Sequence, residues 1–175
     1  RLVRLHHPHI SEVDAGKIAE FSGGNARVAD ALAGTIAKGE TVSGFKDEEL
    51  FVRLFDQRNQ PSGALISSAE ALSLVYSFDG EAVDPDSELA ILASIAGKNV
   101  RILYANAAVL KERSLLQSRG KWRAVLPHAI ANRLAAGALR KIPRRVVLDA
   151  FLNSGSERLI KSFARRLNFL HDSDD

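Results

Sequence analysis

The segment SLLQSRGKWRAVL, residues 114–126, limits the folds open to this chain more than any other segment. Its short apolar runs lie on either side of a glycine-containing turn, which predicts two antiparallel strands. Three stretches with helical spacing come directly before it: ALISSAEALSLVYSF, DSELAILASIAG and NVRILYANAAVLKER. Helical spacing also dominates the rest of the chain. The sequence therefore predicts a mostly α fold with one small β-hairpin.

Three helices followed by a β-hairpin is the element order of a winged-helix domain, which we expect over residues 59–142. The segments SEVDAGKIAEFSGG, NARVADALAGTIAK and KDEELFVRLFDQ predict a helical region before it, over residues 11–58. Ser11 and Asp14 form a capping-box pattern, and Asn25 is a suitable N-cap. We expect residues 143–175 to begin a following helical region, in which Leu159, Phe163 and Leu167 form an apolar stripe.

The first ten residues predict the end of a strand and a linker rather than a helix. RLVRL alternates apolar and polar residues, as a strand does. His6, His7 and His9 surround Pro8, and a metal site is one interpretation of this cluster. No second cluster of ligands accompanies it, so a linker is the simpler interpretation. Residues 1–10 are then expected to be a linker or the end of an upstream nucleotide-binding domain.

Charge is distributed unevenly along the chain. Residues 1–90 carry 8 Lys and Arg against 15 Asp and Glu, whereas residues 91–175 carry 16 against 6. Between Lys98 and Arg145 the only acidic residue is Glu112. This asymmetry indicates either an anionic partner for the second half or an attraction between the two halves.

Composition excludes several classes of protein. The chain has no cysteine, so it has neither disulfides nor a thiolate metal site. No apolar run approaches the roughly 20 residues of a membrane span, and the N-terminus lacks the apolar core of a signal peptide. Methionine is absent throughout, including at the first position. We therefore expect a cytoplasmic fragment of a longer protein.

The motif Gly24-Asn25-Ala26-Arg27 resembles the sensor-2 motif in the helical lid of AAA+ ATPases. In that family the arginine reaches the phosphates of the bound nucleotide. The same stretch is more loosely similar to the GLPLA segment of the related STAND ATPases. An arginine in the first turn of a helix opposes the helix dipole by roughly 0.3–1 kcal/mol, so an anion facing Arg27 would explain its position. The alternative is a simple turn between two antiparallel helices.

A second motif follows the hairpin, where Val125-Leu126-Pro127-His128-Ala129 resembles the histidine motif after the winged helix of STAND proteins. There the histidine contacts the β-phosphate of ADP and holds the resting state. The resemblance implies that Pro127 and His128 belong to a nucleotide site, although Ala129 stands where the plant form has Asp. A helix N-terminus also attracts anions. The alternative is that His128 caps its helix or packs beneath the wing.

Together the two motifs imply the helical lid and winged-helix portion of a STAND or AAA+ ATPase. The sequence has no G-x-x-x-x-G-K-[ST] loop and no acidic pair after an apolar strand for Mg²⁺, so this portion is not expected to be an enzyme by itself. The implied ligands are ATP and ADP, with Mg²⁺ only in an upstream domain. The implied partners are an upstream P-loop domain of the same chain and further copies of the protein.

DNA binding is the alternative function, because many winged helices place their third helix in the major groove. Those of origin-recognition initiators also follow an AAA+ lid. The candidate contacts here lie on the third helix and in the wing, and the chain has a pI of about 9.4. They are Arg101, Asn106, Arg119, Lys121 and Arg123. The third helix is largely apolar, however, so few of its positions are suited to reading base edges.

Overall fold

A computed structural model describes residues 2–55, 62–153 and 156–170. The chain divides into two compact units, residues 1–66 and 67–175. Helices predominate in both, and a small antiparallel sheet lies in the second. The predicted mostly α fold with a small β element is confirmed. The predicted boundary between residues 58 and 59 lies outside the described residues.

The regular elements in the described part of the first unit are all helices, and they pack around a core of aliphatic and phenylalanine side chains. The predicted caps are confirmed, since Ser11 Oγ accepts the N–H of Asp14 and Asn25 Oδ1 accepts the N–H of Val28. Each cap satisfies a donor that the first helical turn leaves without a partner. The helices are α1 (Leu2–His6), α2 (Glu12–Phe21), α3 (Ala26–Ala33), α4 (Asp47–Phe55) and the beginning of α5 (Ser62–Ser73).

The prediction of a strand at RLVRL is wrong, because Leu2–His6 form the helix α1. Only Val3 is buried there, while Leu2 and Leu5 are 45% and 76% exposed, so the apparent alternation does not mark a buried face. His6 and His7 are also in contact with the rest of the first unit. His6 Nδ1 and His7 Nε2 each lie 3.0 Å from Asp30 Oδ1 in α3. These contacts attach α1 and the following turn to α3.

The second unit begins with the predicted winged-helix order. After α5 come β1 (Phe78–Asp79), α6 (Glu88–Ile95), α7 (Val100–Glu112), β2 (Leu116–Arg119) and β3 (Trp122–Val125). The sheet is antiparallel with strand order β1-β3-β2, which is the topology of winged-helix domains. The hairpin of β2 and β3 is as predicted. The sequence pattern missed β1, because two residues are too short to show alternation and Phe78 appeared to end a helix.

Three helices complete the second unit: α8 (His128–Lys141), α9 (Arg144–Leu152) and α10 (Glu157–Asn168). Ser162 of α10 contacts the backbone just before β1, where its hydroxyl donates to the Ser77 carbonyl over 2.6 Å and accepts the Ser77 N–H over 2.9 Å. The predicted stripe on α10 is only partly correct. Leu159 and Phe163 are buried, but Leu167 is 37% exposed and its neighbour Arg166 is buried instead.

Candidate functional site

His128 lies at the first position of α8, three residues after β3 ends at Val125, and it is exposed. Pro127 is the N-cap and provides no side-chain hydrogen bond there. The imidazole stacks on Tyr76, with ring centroids 5.0 Å apart and planes inclined by 20°. The Phe169 ring lies 6.2 Å from it, nearly parallel. Residues from the α5–β1 connection, α8 and the end of α10 therefore meet at this point.

Two arginines of α10 complete this cluster. The Arg165 guanidinium carbon lies 3.7 Å from the centroid of the Tyr76 ring, which is a cation–π contact. Arg166 is completely buried and lies 5.8 Å from the same centroid. Its Nη1 donates to Asn132 Oδ1, and its Nη2 donates to the Val75 carbonyl over 3.5 Å. Its Nε has no hydrogen-bond partner among the described residues.

We use the name cationic cluster for His128, Arg165 and Arg166. Within the described part of the chain, none of the three forms an ion pair with a carboxylate. Burial lowers the pKa of Arg166 to about 10. Burial, and then the charges of Arg166 and Arg165, lower the pKa of His128 below its ordinary value. Buried charges in proteins are normally paired, so an unpaired cation at this depth requires an explanation.

The cationic cluster has the donors that an oxyanion needs. An arginine presents a planar fork of N–H groups that matches phosphate and carboxylate oxygens. A neutral imidazole can donate one hydrogen bond, and the first N–H groups of α8 have no helical partner. His128 and Phe169 are exposed, which leaves an approach from solvent. The arrangement is therefore suited to binding a phosphate group.

Gly24, Asn25 and Arg27 belong to the first unit, whereas Pro127 and His128 belong to the second. Gly24 has φ +75° and its N–H bonds to the Ala19 carbonyl, so it ends α2. Asn25 caps α3, as described above. Arg27 is exposed in the first turn of α3, with no hydrogen bond or ion pair to any residue that the structure describes. Its role as a phosphate contact stays a prediction.

Three of the five predicted DNA contacts already have partners within the protein. Asn106 donates to Ser68 Oγ over 2.7 Å, which joins α7 to α5. Lys121 Nζ lies 2.8 Å from Asp79 Oδ2, and this ion pair connects the hairpin turn to β1. Arg123 lies 4.9 Å from the centroid of the Tyr104 ring.

Arg101 and Arg119 differ from those three residues. Both side chains are exposed, and neither is paired within the described ranges. Arg101 is in the first turn of α7, and Arg119 ends β2 beside the hairpin turn. They are the candidates on this face that remain available to a nucleic acid.

Sequence reasoning missed Tyr76, Asn132, Arg165, Arg166 and Phe169 as members of this site. Two signals were available. Arg166 comes three residues after Phe163, so it falls on the apolar stripe of α10, where a cation is unexpected. Asn132 comes four residues after His128, which places both on one face of α8.

Within the described residues, no group of three or more His, Cys, Asp or Glu side chains is placed to hold a metal ion. No described helix has the length and apolar character needed to cross a membrane. Comparisons with protein families, curated proteins and solved structures find no match to this chain. Its function therefore has to be inferred from the site itself.

Proposed function

We propose that this chain is the lid and winged-helix portion of a STAND-type or AAA+ nucleotide switch, and that His128 contacts a nucleotide phosphate in one of its states. The cationic cluster carries this proposal, because it combines an exposed histidine at a helix N-terminus with a buried arginine that pairs with no carboxylate in the described part of the chain. The winged-helix topology with the histidine directly after the wing adds support.

The chain would sense the nucleotide rather than hydrolyse it. An upstream P-loop domain would bind ATP or ADP with Mg²⁺, and the chain would add Arg27 and the cationic cluster as contacts to the phosphates. A ligand shifts a conformational equilibrium only through its different affinities for the two states. A phosphate contact made in the ADP state alone would supply that difference. The released winged helix would then favour self-association in the cytoplasm.

The direct test is an NMR titration of the imidazole signals of this chain with ADP, pyrophosphate and adenosine. His128→Asn identifies the His128 signals among the five histidines. We expect saturable shifts of the His128 signals with ADP and pyrophosphate. Adenosine has no phosphate and should produce no shift. The titration is repeated at about 0.15 M salt, where surface charges are screened within about 8 Å.

The matched control is the double variant Arg101→Gln, Arg119→Gln, which removes two exposed cations of the same unit outside the cluster. It should bind pyrophosphate as the parent chain does. If the His128 signals do not respond, or respond equally to adenosine, the phosphate role is wrong. Equal loss of binding in the control would indicate a general attraction of anions to a basic surface.

DNA binding remains the second candidate, supported by the winged-helix topology and the exposed Arg101 and Arg119. The test is fluorescence anisotropy of a labelled duplex with the parent chain and with Arg101→Glu, Arg119→Glu. Affinity that survives physiological salt and disappears in the variant would favour the DNA-binding function. Binding that disappears with modest salt would be only a counterion effect.

A further inference from the structure

We propose that Arg165 and Arg166 bind the same phosphate group as His128, and that helix α10 docks firmly on the winged helix only when that group is bound. The inference rests on the proposed function, since it assigns further ligands and an output to the same site. The ligand class is a phosphate monoester or pyrophosphate, such as the phosphates of a nucleoside diphosphate.

The geometry connects the site to α10 directly. Arg165 and Arg166 are both in the last turn of α10, and Phe169 follows immediately after it. Arg165 lies over the ring of Tyr76, and that ring stacks on His128. Tyr76 belongs to the α5–β1 connection, and His128 belongs to α8. An anion bound by both groups would therefore bridge the end of α10 to the winged helix.

Docking of α10 without an anion places charges together that have no carboxylate partner among the residues that the structure describes. Arg166 enters the interior with a side-chain amide and one distant carbonyl as acceptors. Its neighbours among charged and titratable groups are Arg165, His128 and the phenol of Tyr76, and no described carboxylate is among them. A bound anion would compensate this charge, so docking and anion binding favour each other.

The two halves of α10 are held differently. The first half is fixed by contacts outside the cluster: Arg158 forms an ion pair with Glu88, and Ser162 bonds to the backbone of Ser77. The second half ends in the cationic cluster. Loss of the anion should therefore loosen residues 163–170 while residues 157–162 stay in place. A loosening that affects residues 163–170 but not residues 157–162 is therefore the result that distinguishes this proposal.

Hydrogen exchange of the full chain, with and without sodium pyrophosphate, tests it. At a concentration ten times the dissociation constant, exchange in residues 163–170 should slow by about tenfold, because the ligand stabilises the closed form by the factor 1 + [L]/Kd. Residues 157–162 and the first unit should change little. Arg166→Met should abolish the slowing. The matched control is Lys161→Met, since Lys161 is exposed on the same helix and pairs with Glu157; it should keep the full effect.

The outcomes separate this inference from the proposed function. If pyrophosphate shifts the His128 signals but exchange in residues 163–170 is unchanged, α10 does not report occupancy and only the inference is overturned. If neither responds, both are overturned. If Arg166→Met does not fold, Arg165→Gln tests the inference in its place, because Arg165 is exposed. A full response in Arg165→Gln or in a folded Arg166→Met would contradict the role assigned to that arginine.

Discussion

Replacing Arg166 by methionine should leave the stability of the second unit nearly unchanged when no anion is present, although the side chain is completely buried. Burial lowers the pKa of Arg166 well below its ordinary value, to about 10. Since one pKa unit corresponds to about 1.4 kcal/mol, the charged form is penalised by about 3 kcal/mol in the folded state. Methionine removes this penalty.

Two losses oppose this gain. The hydrogen bonds to the part-buried Asn132 Oδ1 and, over 3.5 Å, to the Val75 carbonyl are lost. An acceptor left without a partner costs about 1–3 kcal/mol when it is buried. The smaller methionine leaves some space, which costs about 1 kcal/mol more. The terms nearly cancel, so we expect the free energy of unfolding to change by about 1 kcal/mol at most. An arginine paired with a buried carboxylate would instead lose about 3–5 kcal/mol.

Urea denaturation followed by the fluorescence of Trp122 measures this change. Trp122 is the only tryptophan and lies in β3, so its signal reports the second unit. Pyrophosphate should stabilise the parent chain but not Arg166→Met. The additional change Asn132→Leu removes the orphaned acceptor and should make the double variant more stable than Arg166→Met alone. A loss of 3 kcal/mol or more in Arg166→Met without anion would refute the view that the buried charge is uncompensated.

Three further predictions concern single groups. The pKa of His128 is lowered in the folded state, so the unfolded chain binds the imidazole proton more readily. The free energy of unfolding should therefore fall as the pH drops below about 6.5, and it should level off below the folded pKa. Pyrophosphate should raise that pKa, and an NMR pH titration with and without it checks the direction. A Cβ at Gly80 would lie 2.2 Å from the Arg123 side chain, so Gly80→Ala should cost about 1–3 kcal/mol in urea denaturation, and Arg123→Ala should relieve most of it. The buried Asp14 carboxylate accepts the N–H groups of residues 42–43. Asp14→Ala should therefore destabilise the first unit by about 2 kcal/mol or more, seen as a lower melting temperature by circular dichroism, and an unchanged melting temperature would contradict this.

Local signals explain what the sequence could predict. The caps at Ser11 and Asn25 and the hairpin turn at Gly120 depend on residues within a few positions of each other. The sequence did not predict the helix α1 or the two-residue strand β1, because contacts with distant parts of the chain determine both. A five-residue segment has too few positions for its period to be decisive.

The site itself could be predicted only in part, for the same reason. His128 was predicted because a helix start and a resemblance to a family motif coincide at one place in the sequence. Tyr76, Arg165 and Arg166 lie 52, 37 and 38 positions from it along the chain, and only tertiary packing brings them together. No spacing rule connects positions so far apart.

The place of Arg166 on the buried face of α10 says more about its role than the fact that it is an arginine. It continues the buried stripe of Leu159 and Phe163, where a leucine would dock α10 permanently at no electrostatic cost. An arginine at this position is tolerable in the docked state only to the extent that its charge is compensated. A ligand-supplied anion provides that compensation reversibly, whereas a carboxylate in the chain would provide it permanently. The proposed anion would therefore make the docking of α10 conditional, and this is the outcome that the hydrogen-exchange experiment tests.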